Sequence, residues 1–370
     1  MSVSINGTNG LTFNDGSTQT TAATGFGFKN RLINGDMRID QRNAGASITP
    51  TNGQFSADRW LNELSAASKY TIQQSTTAPA GFTNSLLVTS SSAYTVGASE
   101  VFNIHQRIEG LNVADLAWGT ASAAAVTLSF KARSSLTGTF GGAIQNDGNN
   151  RSYPFTFSIS SANTWEDKTV TIPGDTSGTW LTTNGIGLRL RFSLGAGSTV
   201  SGTAGAWAGS DFRSATGAVS VVGTNGATFA VTGVQLEKGS TATSFDYRPY
   251  GTELALCQRY FQIYQSVGLQ DTVAMGNAEN TTRGYFLLSL PVSMRSAPAC
   301  TLTATNFSMR GTTSFVACTS GSMGGTGGLS NSFIAGEFNC GSAHGAPAGG
   351  CVKLSANSVS ASTILISSEL

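Results

Sequence analysis

Charge is scarce in this sequence. Asp, Glu, Lys and Arg make up 11% of its 370 residues, against roughly 25% in ordinary soluble domains. The 21 basic and 20 acidic side chains leave a formal net charge of +1. No strong field therefore steers nucleic acid or an anionic membrane toward the chain. Histidine is nearly absent too, with His105 and His344 alone. A Ser/His/Asp or Cys/His unit would have to use one of them. The sequence places His105 on a strand face or in a core, and His344 in an exposed Gly/Ala/Pro loop. No HExxH, P-loop, GxGxxG or GxSxG motif occurs. Cys257, Cys300, Cys318, Cys340 and Cys351 form no CxxC pair and are odd in number, so free buried thiols are expected rather than disulfides. The last four also lack the paired spacing of structural zinc. No run approaches the ~18 apolar residues of a membrane span, and the first ten residues lack the basic and apolar regions of a signal peptide. Synthesis in a cytoplasm, without membrane insertion, is expected.

What the chain does have is glycine, hydroxyls and rings: 45 Gly, abundant Ser and Thr, 20 Phe, 8 Tyr and 5 Trp. A disordered polar chain is normally charged and poor in aromatics. This composition reads instead as a folded, neutral, hydroxyl-coated protein with many turns. The length accommodates two or three domains with ample core.

Four blocks follow along the chain. Residues 1–27 read as an arm: Val3 and Ile5 alternate with polar residues, and Leu11 to Phe13 precede the turn signal Asn14-Asp15-Gly16. This stretch buries little, so it is either frayed or ordered by pairing with another chain. Residues 28–250 carry well-spaced strand signals. Val126, Leu128, Phe130 and Ala132 alternate on one face, as do Leu188, Leu190 and Phe192. Residues 168–172 stop at Pro173-Gly174, and Gly233 marks a bulge in the strand of residues 228–236. Many short strands without a long repeat indicate an all-β sandwich or jelly roll. Residues 251–266 are expected to be a linker helix. There Leu254, Cys257, Phe261 and Tyr264 follow helical spacing, Thr252 is the N-cap and Glu253 faces the positive end of the dipole. It joins two β domains, or its copies pack about a symmetry axis. Residues 267–370 return to strands around a glycine-dense loop at 321–328, and a small β-sandwich is expected.

Several stretches resemble phage virion proteins. Lys29-Asn-Arg-Leu-Ile-Asn-Gly-Asp-Met-Arg-Ile-Asp-Gln-Arg-Asn-Ala-Gly-Ala46, followed by Ala57-Asp-Arg-Trp60, resembles the opening of carbohydrate-binding-module-like jelly rolls in tail-fibre and receptor-binding proteins. The close is similar as well: Val231-Thr-Gly-Val-Gln-Leu-Glu-Lys-Gly-Ser240, then residues 243–260 through Phe245-Asp-Tyr-Arg-Pro-Tyr250. Residues 164–180, from Thr164-Trp-Glu-Asp to Gly178-Thr-Trp180, follow the same pattern. Gly10-Leu-Thr-Phe-Asn-Asp-Gly-Ser-Thr-Gln-Thr-Thr-Ala22 is similar to attachment arms of phage fibres. The resemblance covers most of residues 1–262 and continues only loosely through Leu290 to Pro298. It implies a tail location in the virion, a homotrimer, and an arm at 1–27 that docks on a tail or baseplate protein. It also implies distal domains that meet host polysaccharide or lipopolysaccharide.

Glycan-binding jelly rolls stack sugars on exposed aromatics and hydrogen-bond them through polar side chains. Trp118, Trp165, Trp180 and Trp207 are the candidates, Trp207 foremost because residues 195–217 form a polar loop with little core beside it; Trp60 reads as core. Lys131 and Arg133 on one strand, with Arg189 and Arg191 on another, point outward by alternation. In one sheet they would form a basic patch for acidic glycan, or a solvated face or subunit contact. No catalytic residue, metal site or cofactor is assigned, although such jelly rolls often carry structural calcium near their chain ends, where Asp36 and Glu237 fall. Enzymatic activity is not expected. The alternatives are a purely structural baseplate, hub or capsid-decorating component, and a polysaccharide depolymerase tailspike.

Overall fold

The computed structural model describes residues 4–6, 10–12, 18–19, 28–266, 268–312, 315–324, 330–357 and 362–370. Strands β1 (Ser4–Asn6), β2 (Gly10–Thr12) and β3 (Thr18–Gln19) form an antiparallel sheet at the N-terminus, with Leu11 opposite Gln19. The turn at Asn14-Asp15-Gly16 and the rest of the arm lie outside the described residues.

The next strands are β4 (Leu61–Leu64), β5 (Tyr70–Ser75), β6 (Ser85–Ser90), β7 (Val101–Glu109), β8 (Val126–Ser134) and β9 (Gly138–Gln145). They are followed by β10 (Ser152–Ile159), β11 (Glu166–Ile172), β12 (Ile186–Ala196), the short parallel pair β13 (Ser201–Gly202) and β14 (Ser214–Ala215), and β15 (Thr228–Lys238). Ten of them build an antiparallel sandwich. Sheet I runs β10-β9-β12-β7-β4 and sheet II runs β11-β8-β15-β6-β5. The alternation in the sequence sets the inner faces: Leu188, Leu190 and Phe192 of sheet I and Val126, Leu128, Phe130 and Ala132 of sheet II are all buried. Phe192 lies at the aromatic centre, 5.0 Å from Phe130 across the sandwich and 6.3–6.4 Å from Trp60, Phe155, Phe157 and Phe229 between ring centroids. The bulge expected at Gly233 is present. The register shifts between Thr232 and Gln235, and Gly233 adopts a left-handed φ of 62°.

The linker differs from its expected form. Helix α1 spans Tyr250–Gln258, with Pro249 at its cap and no side-chain cap, so Thr252 lies inside it. The second half of the expected helix is strand β16 (Phe261–Gln265). A nine-residue helix has little stability of its own, and tertiary contacts end it. The Tyr260 hydroxyl donates to Glu109 at 2.8 Å, the Tyr260 ring receives the Arg59 guanidinium, and Phe261 onward pairs with residues 363–367. Helical spacing at Phe261 and Tyr264 was therefore coincidental.

The C-terminal strands are β17 (Thr272–Ala278), β18 (Arg283–Ser289), β19 (Ala299–Leu302), β20 (Phe307–Arg310), β21 (Phe315–Met323), β22 (Phe333–Cys340), β23 (Cys351–Ala356) and β24 (Thr363–Ser367). Where a small sandwich was expected, β17-β18-β22-β21-β20-β23 close into a barrel, and β16-β24-β19 form a separate sheet. Closure removes the unpaired edges that an open six-stranded sheet would leave. Part of the expected glycine loop is strand β21, and residues 325–329 lie outside the described residues. His344 is fully buried, against expectation: its backbone is tied to Thr281 and Gly311, and its Nδ1 accepts the Ala346 N–H at 3.3 Å. The five cysteines are free.

Replacing Phe192 removes the ring that both sheets share. Phe192→Ala is expected to cost about 3–5 kcal/mol in urea unfolding. A loss under about 1 kcal/mol would show that the ring is not central to the core.

Candidate functional site

Because Leu188, Leu190 and Phe192 point inward, Arg189 and Arg191 project from the outer face of sheet I. The register sets Arg189 beside Arg107 and Gln145, and Arg191 beside His105. Strand β4 adds Glu63, and the loop between β12 and β15 adds Asp211 and Arg213. The expected joint patch does not form: Lys131 and Arg133 belong to β8 of sheet II. Nor are the arginines solvated, since Arg189 is 8% and Arg191 3% exposed.

Such burial requires partners. Arg189 Nη1 donates to the Asn146 and Asp147 carbonyls at 2.7 and 2.8 Å and to Asn149 Oδ1 at 3.0 Å, and its Nη2 donates to Asp147 Oδ1 at 2.6 Å. It thereby clamps the turn between β9 and β10. Arg191 donates to Gln145 Oε1 at 2.6 Å and to Glu63. Arg213 donates to Glu63 at 2.8 Å and to Asp211 at 2.6 Å, and Gln145 Nε2 donates to Asp211 at 2.7 Å. Burial pushes the Arg191 guanidinium down to about 10 while Glu63 opposes the shift. Beneath it, burial and then the surrounding arginines, Arg191 first, push His105 well below its ordinary 6.5, so the imidazole is neutral. Asn103 Oδ1, both His105 nitrogens, Arg107 Nε and Ser193 Oγ are buried on this face without a hydrogen-bond partner among the described residues. Above them lies a rim of part-exposed side chains: Asp147 at 40%, Asp211 at 36%, Arg213 at 23% and Glu63 at 20%. The floor is fixed and the rim is accessible.

Three of the four tryptophans do come together, but as a plug. Trp118 and Trp180 are 4.7 Å apart between centroids, and Trp207 is 5.4 and 5.5 Å from them, all edge to face. Trp118 and Trp180 are buried, and Trp207 is half-buried against them and against Tyr153 at 5.2 Å. Each indole N–H has an internal acceptor: the carbonyls of Ala124, Ser177 and Pro173 respectively. Trp118 and Trp180 therefore offer no free ring for stacking, whereas Trp207 stays part-exposed; Trp165, also part-exposed, lies outside this cluster. Residues 195–217 did have a core to pack against, because the loop folds back over it. Trp60 is core, as expected.

Asp36 pairs with Arg38, while Glu237 accepts from Thr243 N at 2.8 Å, Thr243 Oγ1 at 2.7 Å and Gln235 Nε2 at 2.9 Å. No hydrogen bond or ion pair joins Asp36 to Glu237. Among the described residues no group of three His, Cys, Asp or Glu is arranged to hold a metal ion. Sequence reasoning missed Glu63, Gln145, Asp211 and Arg213. The alternation of Asn103, His105 and Arg107 with Phe102, Ile104 and Ile108 was a readable signal for this face, whereas the loop residues carried none.

No protein-family model and no curated protein matches this chain. Among solved structures it is similar to the enzymatically active domain of tailspike protein 4 of bacteriophage CBA120, at 13% identity and a TM-score of 0.30. That match covers 56% of this chain and 21% of the tailspike, about a fifth of its length. A putative sugar binding protein from Bacteroides thetaiotaomicron matches at 15% identity and a TM-score of 0.35, covering 57% of this chain and 100% of that one. A family 11 carbohydrate-binding module from Clostridium thermocellum, solved with a mixed-linked tetrasaccharide, matches at 13% identity and a TM-score of 0.26, covering 54% and 98%.

Arg191→Gln leaves Glu63 short of a cation beside a buried floor, and is expected to cost about 3 kcal/mol in chemical unfolding; no measurable loss would mean the network is slack. His105 gives a pH signature. Its folded-state affinity for a proton lies below the unfolded one, so its contribution is intact at neutral pH and is lost as pH falls below the ordinary value. The stability advantage of wild type over His105→Asn should therefore shrink between about pH 7 and about pH 5. A constant difference would place a solvated His105 on this face.

Proposed function

We propose that this chain is a non-catalytic attachment protein of a bacteriophage tail, a fibre or receptor-binding subunit whose sandwich meets host-surface glycan. One observation carries the binding part: Glu63 and Asp147 are held on an accessible rim by arginines buried beneath them, and Asp211 is held beside them by Arg213 and Gln145. Planar groups fixed by paired, charge-assisted hydrogen bonds lose little freedom when a sugar hydroxyl replaces water on their free side. Arg189 and Arg191 are then positioning residues, and Arg213, Asp147, Asp211 and Glu63 are the groups that touch ligand. Of these contact groups three are carboxylates and one is a guanidinium, so the rim offers mainly acceptors for sugar hydroxyls, with Arg213 the one cation placed to meet an acidic substituent.

The remaining parts rest on the sequence resemblance: a homotrimer, a virion location, and an arm at 1–27 that docks on a tail or baseplate protein. Catalysis is not part of the proposal. His105 and His344 are both buried, and neither has a hydrogen bond to a serine, cysteine or carboxylate. A second reading, an internal structural component of the tail, is favoured by one specific observation. The guanidinium groups of Arg189 and Arg191 are already committed within the chain.

Adsorption of the full-length chain to intact host cells, with its mass measured by light scattering, tests the proposal. A trimer should bind saturably, and Arg213→Ala should weaken binding roughly tenfold. A folded trimer that ignores cells would move the weight to the structural reading. Full-strength binding by Arg213→Ala would remove the sheet I face from the receptor site.

A further inference from the structure

The opposite face of the sandwich holds a groove of 380 Å³ on sheet II that none of the preceding chemistry uses. Its floor is Ser129, Lys131 and Thr169, one wall is Asp167 and Lys168, and the other is Phe82, Phe245 and Tyr247. These three rings pack on one another, with centroids 5.2 Å (Phe82–Phe245), 5.4 Å (Phe82–Tyr247) and 4.9 Å (Phe245–Tyr247) apart. None belongs to the sandwich core. Phe82 and Phe245 are half-buried, and Tyr247 is 55% exposed. An aromatic cluster built on the surface, outside any core, needs a reason other than folding.

The wall is rigid for identifiable reasons. The Tyr247 hydroxyl donates to the Gly81 carbonyl at 2.7 Å, fixing the ring's tilt. Thr243, at the start of the same segment, is tied by its N–H and hydroxyl to the buried Glu237 carboxylate. Phe82 sits directly over Gly233, where a Cβ would come within 2.7 Å of its ring. The glycine of the bulge therefore both sets the strand's twist and leaves room for the ring. Across the groove, Lys131 pairs with Asp167, whose side chain is 80% exposed, and Lys168 pairs with Glu166 at 2.6 Å. The charges cancel locally, and the hydroxyls of Ser129, Thr169 and Ser244 lie between them and the rings.

We propose that this groove is a second glycan site, distinct from the sheet I face, and that it takes a neutral pyranose. The apolar C–H face of the sugar stacks on Tyr247 and Phe82, and neighbouring ring hydroxyls are held by the Asp167 carboxylate, as acceptor, and the Lys131 ammonium, as donor. Its aromatic wall sets it apart from the sheet I rim, which is built of charged groups. The chain then grips two chemically different parts of a host surface at once, and their avidity multiplies if both lie on one polymer.

Titration of the full-length chain with methyl glucoside, methyl galactoside, methyl mannoside and methyl N-acetylglucosaminide tests this, with binding followed by calorimetry or NMR. At least one pyranoside should bind saturably, and Tyr247→Ala and Asp167→Asn should each weaken it roughly tenfold. Asp167 is exposed enough that its variant keeps the test valid if Tyr247→Ala folds poorly. Tryptophan fluorescence reports on the fold, since no tryptophan lines the groove. No binding by any of these sugars, or equal binding by wild type and both variants, overturns the proposal. So does dissociation of an oligomer by Tyr247→Ala, which would make the groove a subunit contact. Because the probes are free neutral sugars, failure here leaves cell adsorption through sheet I standing.

Discussion

The structure depends on one buried carboxylate. Glu253, in the first turn of α1 and 4% exposed, accepts the Asn34 N–H and pairs with Arg248 Nη1 at 3.3 Å. Arg248 in turn donates to the carbonyls of Leu32 and Asn30. Asn30 binds the carbonyl of Val234 and the N–H of Leu236, which stitches the entry of the sandwich to its last strand. Asn34 carries the network on: its side chain binds the Ile39 and Asp58 carbonyls, and its own carbonyl accepts the Trp60 indole N–H. Asn34, Met37 and Arg59 are held here in left-handed conformations, which non-glycine residues adopt only when their surroundings over-determine them. A charge desolvated this deeply is tolerated because it is paired, and removing one partner would leave the other stranded.

From that knot the second domain is placed. Glu369 pairs with Arg42 and Arg59, which lie over the rings of Phe261 and Tyr260 respectively, and Arg259 reaches Glu109 of sheet I at 2.8 Å. The β16-β24-β19 sheet and the chain end beside it are thus joined to the sandwich by a set of shared cations. This gives a physical account of the low charge content. Much of the little charge available is spent inside: Arg59, Arg189, Arg191, Arg248, Asp36, Asp58, Asp175, Glu109, Glu237 and Glu253 are all buried. The remaining charge lies outside, at the rim of sheet I, in the groove of sheet II and in clusters such as Arg31, Asp115 and Lys238 or Arg283, Glu279 and Glu337. Such a surface suits hydroxyl-rich ligands and repels little.

The fold was legible wherever period-two alternation was strong. Strands β8, β12 and β15 could be read because one face of each is apolar, and β11 because Pro173-Gly174 stops it. Less was legible where the deciding contacts are distant. Helical spacing at Phe261 and Tyr264 gave way to pairing with β24, and sandwich versus barrel is a matter of which edges meet. The site shows the same division. Alternation correctly sent Arg189 and Arg191 away from the core, but could not reveal that Glu63 and the turn at residues 146–149 cover them. The surroundings of Trp207 were not legible, because a glycine-rich polar loop gives no local sign that it folds back onto Trp118, Trp180 and Tyr153. The motif stretches now have a mechanism, since Asn30, Asn34, Trp60, Arg248 and Glu253 are the members of the knot.

The most direct test of this account is a double-mutant cycle on Arg248→Met and Glu253→Gln. Urea unfolding would be followed by tryptophan fluorescence, because all five tryptophans lie between residues 60 and 207 and report on the sandwich. The account predicts that the two substitutions are strongly non-additive, with a coupling above about 1 kcal/mol and the double variant little worse than either single one. Additive losses within about 0.5 kcal/mol would contradict it, because two residues that do not sense each other cannot be the constraint on which the rest of the structure depends.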